Sequence, residues 1–267
     1  MKVDFFIVGV QKGGTTALYH YLAQKYPKIQ MSLQKEIHFF DNENFNWENP
    51  DYSVLHEHFN WNVKNVVRGE ATPIYIYWPN ALTRIYRYNP NCKLILCLRH
   101  PTYRAYSAYR MEIGRNNETL SFEDAISEIG RARVISAPQG VHRIYSYVER
   151  GFYSKQISQM FSIFPRNNIL FVRTDMLWTN LAETLYKIVQ FLQINSNYSY
   201  VELRQEYIEP THSAEIGAIP YNAMQKLNEL YYSDILKTQE LSGIDLSDWL
   251  HSEYYEPMRR ECLSILE

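Results

Sequence analysis

The stretch Phe5–Thr16 reads FFIVGVQKGGTT, and it decides how the rest of the chain is interpreted. An apolar run at Val3–Val8 is followed at once by a glycine-rich turn and then by sequence typical of a helix. Such a strand–loop–helix unit can hold a phosphate, because backbone N–H groups of the tight loop point inward and the positive end of the helix dipole lies behind them. The stretch therefore predicts a phosphate-binding loop.

The position of the lysine separates this loop from a nucleoside-triphosphate-binding loop. Gly9 and Gly14 have the spacing of the P-loop, in which a lysine directly follows the second glycine. Here Thr15 stands at that position, and the lysine lies inside the loop at Lys12. The sequence thus has the glycine spacing of a phosphate-binding loop, but its lysine stands inside the loop and not after it.

The second core strand, predicted at Lys93–Leu98, ends in a cation as well. In P-loop kinases and ATPases an acid at the end of a second strand helps to hold Mg²⁺, whereas Arg99 stands there in this chain. A cation repels Mg²⁺ and attracts an anion, and ligands of open α/β sheets bind at the carboxyl ends of strands. We therefore expect a ligand with phosphate groups and no bound metal, which argues against a magnesium-dependent kinase.

Strand and helix patterns alternate along the chain, which favours an α/β fold with a parallel sheet. Strands are predicted near residues 3–8, 66–71, 93–98 and 168–172. Helices are predicted at 15–25, 80–88, 101–113, 122–129, 141–164 with a break near Gly151, 180–192 and 221–236. We expect a single domain over residues 1–267, with a central parallel sheet flanked by helices and a P-loop-like strand–loop–helix unit. The stretches 42–62 and 198–220 lack a clear period and are interpreted as lid or acceptor segments.

Charge and cysteine content limit the partners and the compartment. The net charge is −2, with 27 Lys and Arg against 29 Asp and Glu, which argues against a nucleic-acid binder and, less strongly, against a long polyanionic substrate. The three cysteines have neither metal-ligand spacing nor a disulfide framework, which favours a reducing compartment. With no predicted signal peptide or membrane span, we expect a cytoplasmic protein.

Several motifs together resemble a known family. FFIVGVQKGGTTALYHYL at Phe5–Leu22 is similar to the 5′-phosphosulfate-binding loop of sulfotransferases that use 3′-phosphoadenosine 5′-phosphosulfate (PAPS), and CLRHPTYRAYSAY at Cys97–Tyr109 is similar to their 3′-phosphate motif. Four further stretches agree in order: QKEIHFFD at 34–41, RGEATPIY at 68–75, VERGFYSKQI at 148–157 and NILFVRTDML at 168–177. The resemblance covers residues 3–195 and is nearest to the heparan-sulfate-type and bacterial sulfotransferases.

The resemblance implies roles for individual residues. Lys12 matches the catalytic lysine at the oxygen that bridges sulfate and phosphate, and Glu36 matches the base of the heparan-sulfate group. The implied cofactor-binding residues are Gln11, Lys12, Gly13, Gly14, Thr15 and Thr16 around the 5′-phosphate, Arg99 and Ser107 at the 3′-phosphate, and Tyr153 near the cofactor. The implied cofactor is PAPS, with adenosine 3′,5′-bisphosphate as its product and no metal.

Two residues compete for the role of base. An acceptor hydroxyl or protonated amine must lose a proton as it attacks, and both Glu36 and His38 could accept it. On an extended segment the two side chains would lie on one face and could reach the same cleft. A departure concerns the lid: the lysine- and glycine-rich loop that closes over the cofactor in the glycosaminoglycan enzymes has no counterpart at 206–217.

The sequence therefore predicts a sulfotransferase of the EC 2.8.2 type, which moves a sulfuryl group from PAPS by in-line displacement. Aromatic residues in 39–61 and 75–78 favour a compact acceptor that is partly apolar or cationic, such as a bacterial secondary metabolite with a hydroxyl or amine. A saccharide or glycolipid acceptor is the alternative. An inactive nucleotide-binding module and a kinase are less favoured.

Overall fold

The computed structural model describes residues 1–194 and 218–257. The 206–217 stretch, and the predicted lid segment 198–220 except for its last three residues, lie outside these residues. The chain divides into two compact units. The first comprises Met1–Leu98, Met160–Pro210 and Pro257–Glu267, and the second comprises Arg99–Gln159 and Thr211–Glu256.

A five-stranded parallel sheet forms the centre of the first unit, in the order β2-β3-β1-β4-β5. The strands are β1 Phe5–Gly9, β2 Ile29–Met31, β3 Val67–Ala71, β4 Lys93–Leu98 and β5 Ile169–Arg173. The central strands β1 and β4 are buried almost throughout, as their continuous apolar sequence predicts. The α/β class with a parallel sheet is confirmed. The three-residue strand β2 was not predicted, because so short a run has no readable alternation.

Ten α-helices lie in the described residues. They are α1 Thr15–Lys25, α2 Ser53–His56, α3 Ala81–Tyr88, α4 Pro101–Gly114, α5 Phe122–Ala125, α6 Glu128–Ile135, α7 Tyr153–Ile163, α8 Met176–Thr179, α9 Leu181–Phe191 and α10 Tyr221–Ser242. In the first unit α1 and α9 pack their apolar faces on the sheet, in one cluster that includes Leu18, Leu22, Leu185 and Ile188. The helices predicted at 15–25, 80–88 and 180–192 are thus present within one residue at each end.

Two predicted helices of the second unit differ from those observed. The single helix predicted at 122–129 is two helices, α5 and α6, because the Ser127 hydroxyl accepts a hydrogen bond from the Ile129 amide (3.2 Å) and caps a new helix. The helical stretch predicted at 141–164, with a break near Gly151, is helical only after the break, as α7 Tyr153–Ile163. Ahead of it the His142 ring nitrogen Nδ1 accepts the amides of Ile144 (3.1 Å) and Tyr145 (3.2 Å), which holds a turn instead.

Candidate active site

The loop between β1 and α1 has a shape that its glycines and its lysine determine together. A Cβ at Gly13 would stand 2.9 Å from the carbonyl oxygens of Val10 and Cys97, so a larger residue does not fit. Gly14 and Lys12 both have left-handed backbone conformations, with φ of 77° and 69°. Thr174, which follows β5, donates a hydrogen bond to the Gly13 carbonyl (2.8 Å) and holds the loop from the side.

The same loop is suited to an anion. The first N–H groups of α1 have no acceptors within the helix, the positive end of its dipole lies there, and its first turn carries no acidic residue. Lys12 and Gln11 are half-buried, and Thr16 is exposed. The residues present therefore fit a phosphate group at this end of β1.

Glu36 and His38 lie in a turn that is anchored on the end of the neighbouring strand β3. The Glu36 amide donates to the Ala71 carbonyl (3.0 Å). The turn is not extended as expected, because Glu36 and His38 have φ of 61° and 57°. Left-handed conformations of this kind cost free energy in non-glycine residues and cluster at functional sites. The two side chains nevertheless meet, with Glu36 Oε2 and His38 Nε2 3.7 Å apart.

Asp41 completes a row of three charged groups. Its carboxylate is buried, and Oδ2 lies 2.9 Å from His38 Nδ1, on the ring edge opposite Glu36. The Asp41 carboxylate, which accepts a hydrogen bond from the His38 ring, and the Glu36 carboxylate raise the pKa of His38 to about 9, against the effect of burial. Burial raises the pKa of Glu36, but hydrogen bonds from His38 and Lys35 outweigh it and lower this pKa to about 2. At neutral pH the row therefore reads carboxylate, imidazolium, carboxylate.

A buried polar layer supports this turn from below. Glu70, at the end of β3, is fully buried and accepts hydrogen bonds from the Thr72 hydroxyl and from the backbone amide of Ile37. Burial raises the pKa of Glu70 to about 7. The Tyr75 hydroxyl accepts the Phe39 amide (3.2 Å). The backbone that carries Glu36 and His38 is thus fixed by β3 and the residues that follow it.

The second unit holds the remaining predicted residues. Arg99 lies two residues before α4, and its backbone carbonyl accepts a hydrogen bond from the Tyr153 hydroxyl (2.8 Å). Ser107 is buried in the second turn of α4. The Tyr153 amide donates to Asp234 of α10 (2.7 Å), which fixes the start of α7. The second unit therefore brings Tyr153 into contact with the backbone of Arg99.

The family model for the sulfotransferase domain matches residues 2–252. The chain belongs to the sulfotransferase family. Among solved structures, a sulfotransferase from Alicyclobacillus acidocaldarius superimposes with a TM-score of 0.76 at 26% identity, over 94% of this chain and 100% of that one. The fold is also similar to the sulfotransferase domain of the curacin biosynthetic pathway, with a TM-score of 0.54 at 14% identity, over 100% of this chain and 98% of that one.

Two named relatives of this sulfotransferase chain are similar in sequence. A membrane-associated sulfotransferase of Dictyostelium discoideum, kil1, is 38% identical over 134 residues, which are 47% of this chain and 27% of that protein. The mouse heparan sulfate glucosamine 3-O-sulfotransferase 6 is 30% identical over 189 residues, which are 70% of this chain and 51% of that protein. The chain thus spans about half or less of the curated relatives it matches.

Sequence reasoning missed three residues that contact predicted ones. In the first unit these are Asp41, beside His38, and Glu70, below the turn; in the second unit it is Glu256, which pairs with Arg99. Asp41 and Glu70 carry a readable signal, since both lie inside motifs that were singled out. Glu256 carries none. Within 1–194 and 218–257 no group of three or more His, Cys, Asp or Glu side chains could hold a metal ion. In the same residues no helix has the length and apolar character needed to cross a membrane.

Proposed function

We propose that this chain transfers a sulfuryl group from PAPS to a hydroxyl or amine of a small-molecule acceptor. One observation carries the proposal. A phosphate-type loop with its lysine inside follows β1, and a carboxylate–imidazolium–carboxylate row is anchored at the end of the adjacent strand β3. The sheet therefore offers an anion cradle and a proton acceptor at one edge, which sulfuryl transfer requires.

The residues of the loop fit the donor. Gln11, Gly13, Gly14, Thr15 and Thr16 would hold its 5′-phosphate, and Arg99, Ser107 and Tyr153 would hold the nucleoside side with its 3′-phosphate. PAPS supplies a sulfuryl group on a phosphate leaving group. Lys12 would stabilise the negative charge that develops on the leaving oxygen, and such preorganised charge is a large share of catalysis in group transfer.

The charge states of the row support Glu36 rather than His38 as the base. With its pKa near 9, His38 is protonated at neutral pH and has no lone pair to offer. Glu36 is ionised, but a carboxylate with a pKa near 2 is a weak base, and a base works best when its pKa is near the working pH. An acceptor that displaces Lys35 from Glu36 would raise this pKa, so acceptor binding would activate the base.

A saccharide is the second candidate acceptor, and two observations favour it. The named relatives include heparan sulfate glucosamine 3-O-sulfotransferases. The aromatic side chains that suggested a compact acceptor pack largely on one another: the Phe39 and Trp47 ring centroids are 5.6 Å apart, and the Arg84 guanidinium lies 4.2 Å from the Trp47 centroid. That cluster already holds a cation of the chain itself.

The test is transfer of ³⁵S from labelled PAPS to a panel of alcohols, phenols, amines and oligosaccharides. We expect transfer to at least one small acceptor, and transfer to oligosaccharides alone would replace the first candidate by the second. Lys12→Ala should lower kcat by about 10²–10³-fold, the usual cost of losing one group that stabilises transition-state charge. The exposed Lys28→Ala is the matched control and should keep wild-type kcat. Full activity of Lys12→Ala would contradict the mechanism.

Two further assays test the two other functions. Binding of adenosine 3′,5′-bisphosphate without transfer to any acceptor would identify an inactive nucleotide-binding module. Phosphoryl transfer from ATP and Mg²⁺ would identify a kinase, and we expect none because Arg99 follows β4.

The proposed location is the cytoplasm. Cys92 and Cys97 are both buried free thiols, which suits a reducing compartment. Fractionation of cells that produce the full-length protein tests this, and recovery in a secretory compartment would contradict it.

A further inference from the structure

Both carboxylate oxygens of Glu256 accept hydrogen bonds from the Arg99 guanidinium. Arg99 Nε donates to Oε1 (2.8 Å) and Nη2 donates to Oε2 (2.5 Å). Only 13% of the Arg99 side chain and 10% of the Glu256 side chain are exposed. Both residues belong to the second unit. This paired geometry is the strongest that an arginine forms with an oxyanion.

The segment that carries Glu256 has its own attachments. The Tyr254 ring stacks on the His100 ring, with centroids 4.8 Å apart and an interplanar angle of 11°. The Tyr103 hydroxyl donates to the Tyr254 carbonyl (3.1 Å). The backbone just ahead of Glu256 is therefore held on the start of α4 by groups other than the carboxylate. Loss of the carboxylate charge should leave the segment in place.

A carboxylate and a phosphate use the same donors of an arginine. Each presents two oxygens that match the parallel N–H groups of the guanidinium, so the edge formed by Nε and Nη2 accommodates one of them at a time. The position of Arg99 ahead of α4 adds the positive end of a helix dipole to the attraction for either anion. Glu256 thus occupies the donors that the 3′-phosphate of a nucleotide would need.

We propose that Glu256 is an internal competitor of the 3′-phosphate for Arg99 and sets the affinity of the protein for its nucleotide. The proposal rests on the proposed function, in which Arg99 holds the 3′-phosphate. Nucleotide binding exchanges the carboxylate for the phosphate, and the carboxylate neutralises Arg99 again when the product leaves. The exchange weakens binding, because a strong ion pair is broken for each one formed, and it speeds product release.

The test compares the dissociation constants of two nucleotides by isothermal titration calorimetry. Adenosine 3′,5′-bisphosphate carries the 3′-phosphate, and adenosine 5′-phosphate lacks it. We expect Glu256→Gln to bind the bisphosphate about tenfold more tightly than wild type, since a hydrogen-bonded charge pair no longer has to be broken. The affinity for adenosine 5′-phosphate should not change. Glu253→Gln removes an exposed carboxylate from the same segment and should match wild type for both nucleotides.

The outcomes separate this proposal from the one on which it rests. If neither the wild type nor any variant binds the bisphosphate, the proposed cofactor is wrong, and this inference fails with it. If all bind it equally, only the competition is refuted. Equal tightening for both nucleotides would also refute it, because the effect would then be general electrostatics. Should Glu256→Gln fail to fold, Glu256→Asp keeps the charge with a shorter reach, and it should tighten bisphosphate binding by a smaller factor.

Discussion

Charged side chains are paired within the protein both in the turn Glu36–Asp41 and at Arg99. The partners are close in sequence in the turn and far apart in sequence at Arg99. His38 and Asp41 are three residues apart, whereas Arg99 and Glu256 are 157 residues apart. In the turn the pairing sets protonation states around a candidate base. At Arg99 the pairing occupies the hydrogen-bond donors of a guanidinium that is a candidate for binding the ligand. A charge pair can therefore prepare one part of a site and restrain another.

The largest change in kcat is expected from Glu36→Gln, in the turn. The amide cannot accept the acceptor's proton, and loss of a general base costs about 10²–10⁴-fold in rate. We therefore expect kcat to fall by about 10³-fold, while the dissociation constant for adenosine 3′,5′-bisphosphate stays unchanged. The exposed Glu48→Gln is the matched control. A Glu36→Gln enzyme with near wild-type kcat would assign the base elsewhere and leave the turn a structural element.

Asp41→Asn should have a smaller effect that depends on pH. Asp41 is the first cause of the raised pKa of His38, so its loss should lower this pKa from about 9 towards the ordinary value of about 6.5. If the imidazolium orients Glu36, kcat of the wild type falls as the pH rises through about 9, and kcat of the variant falls about two pH units earlier. We expect about a tenfold loss of kcat at pH 8, where His38 of the variant is mostly neutral.

The pH profile separates this role from a merely structural one. A loss of kcat that is equal at all pH values would mean that Asp41 only supports the turn. Asp51→Asn removes an exposed carboxylate ten residues further on. In this control variant kcat should fall at the same pH as in the wild type.

The two regions also show what could be predicted from the sequence. β1, β4 and α1 could be predicted because a continuous apolar run and a glycine-rich turn are local signals. Glu36, His38 and Arg99 could be named from motifs for the same reason. The pairing of Arg99 with Glu256 could not, because no periodicity links residues so far apart and the contact depends on how the segment after Trp249 returns to α4. The left-handed φ of Glu36 could not be predicted either, since it accompanies a hydrogen bond to Ala71, which is distant in sequence.

The remaining prediction concerns the stability of the folded protein and the residue Glu70. Its pKa is raised to about 7 in the folded protein, against about 4.3 in an unfolded chain. The folded state therefore binds more protons between these values, and stability falls as the pH rises from about 4.3 through 7, because a buried charge must be accommodated. Glu70→Gln removes this proton linkage, so the variant should lose less stability than the wild type between pH 5 and pH 8.

Thermal unfolding at the two pH values measures the difference. We expect the decline in Tm between pH 5 and pH 8 to be smaller in Glu70→Gln than in the wild type by about 5–10 °C, which corresponds to about 2–3 kcal/mol in a chain of this size. The exposed Glu57→Gln should decline as the wild type does. Parallel declines in all three proteins would mean that Glu70 stays ionised, and the layer below the turn would then carry a third negative charge beside Asp41.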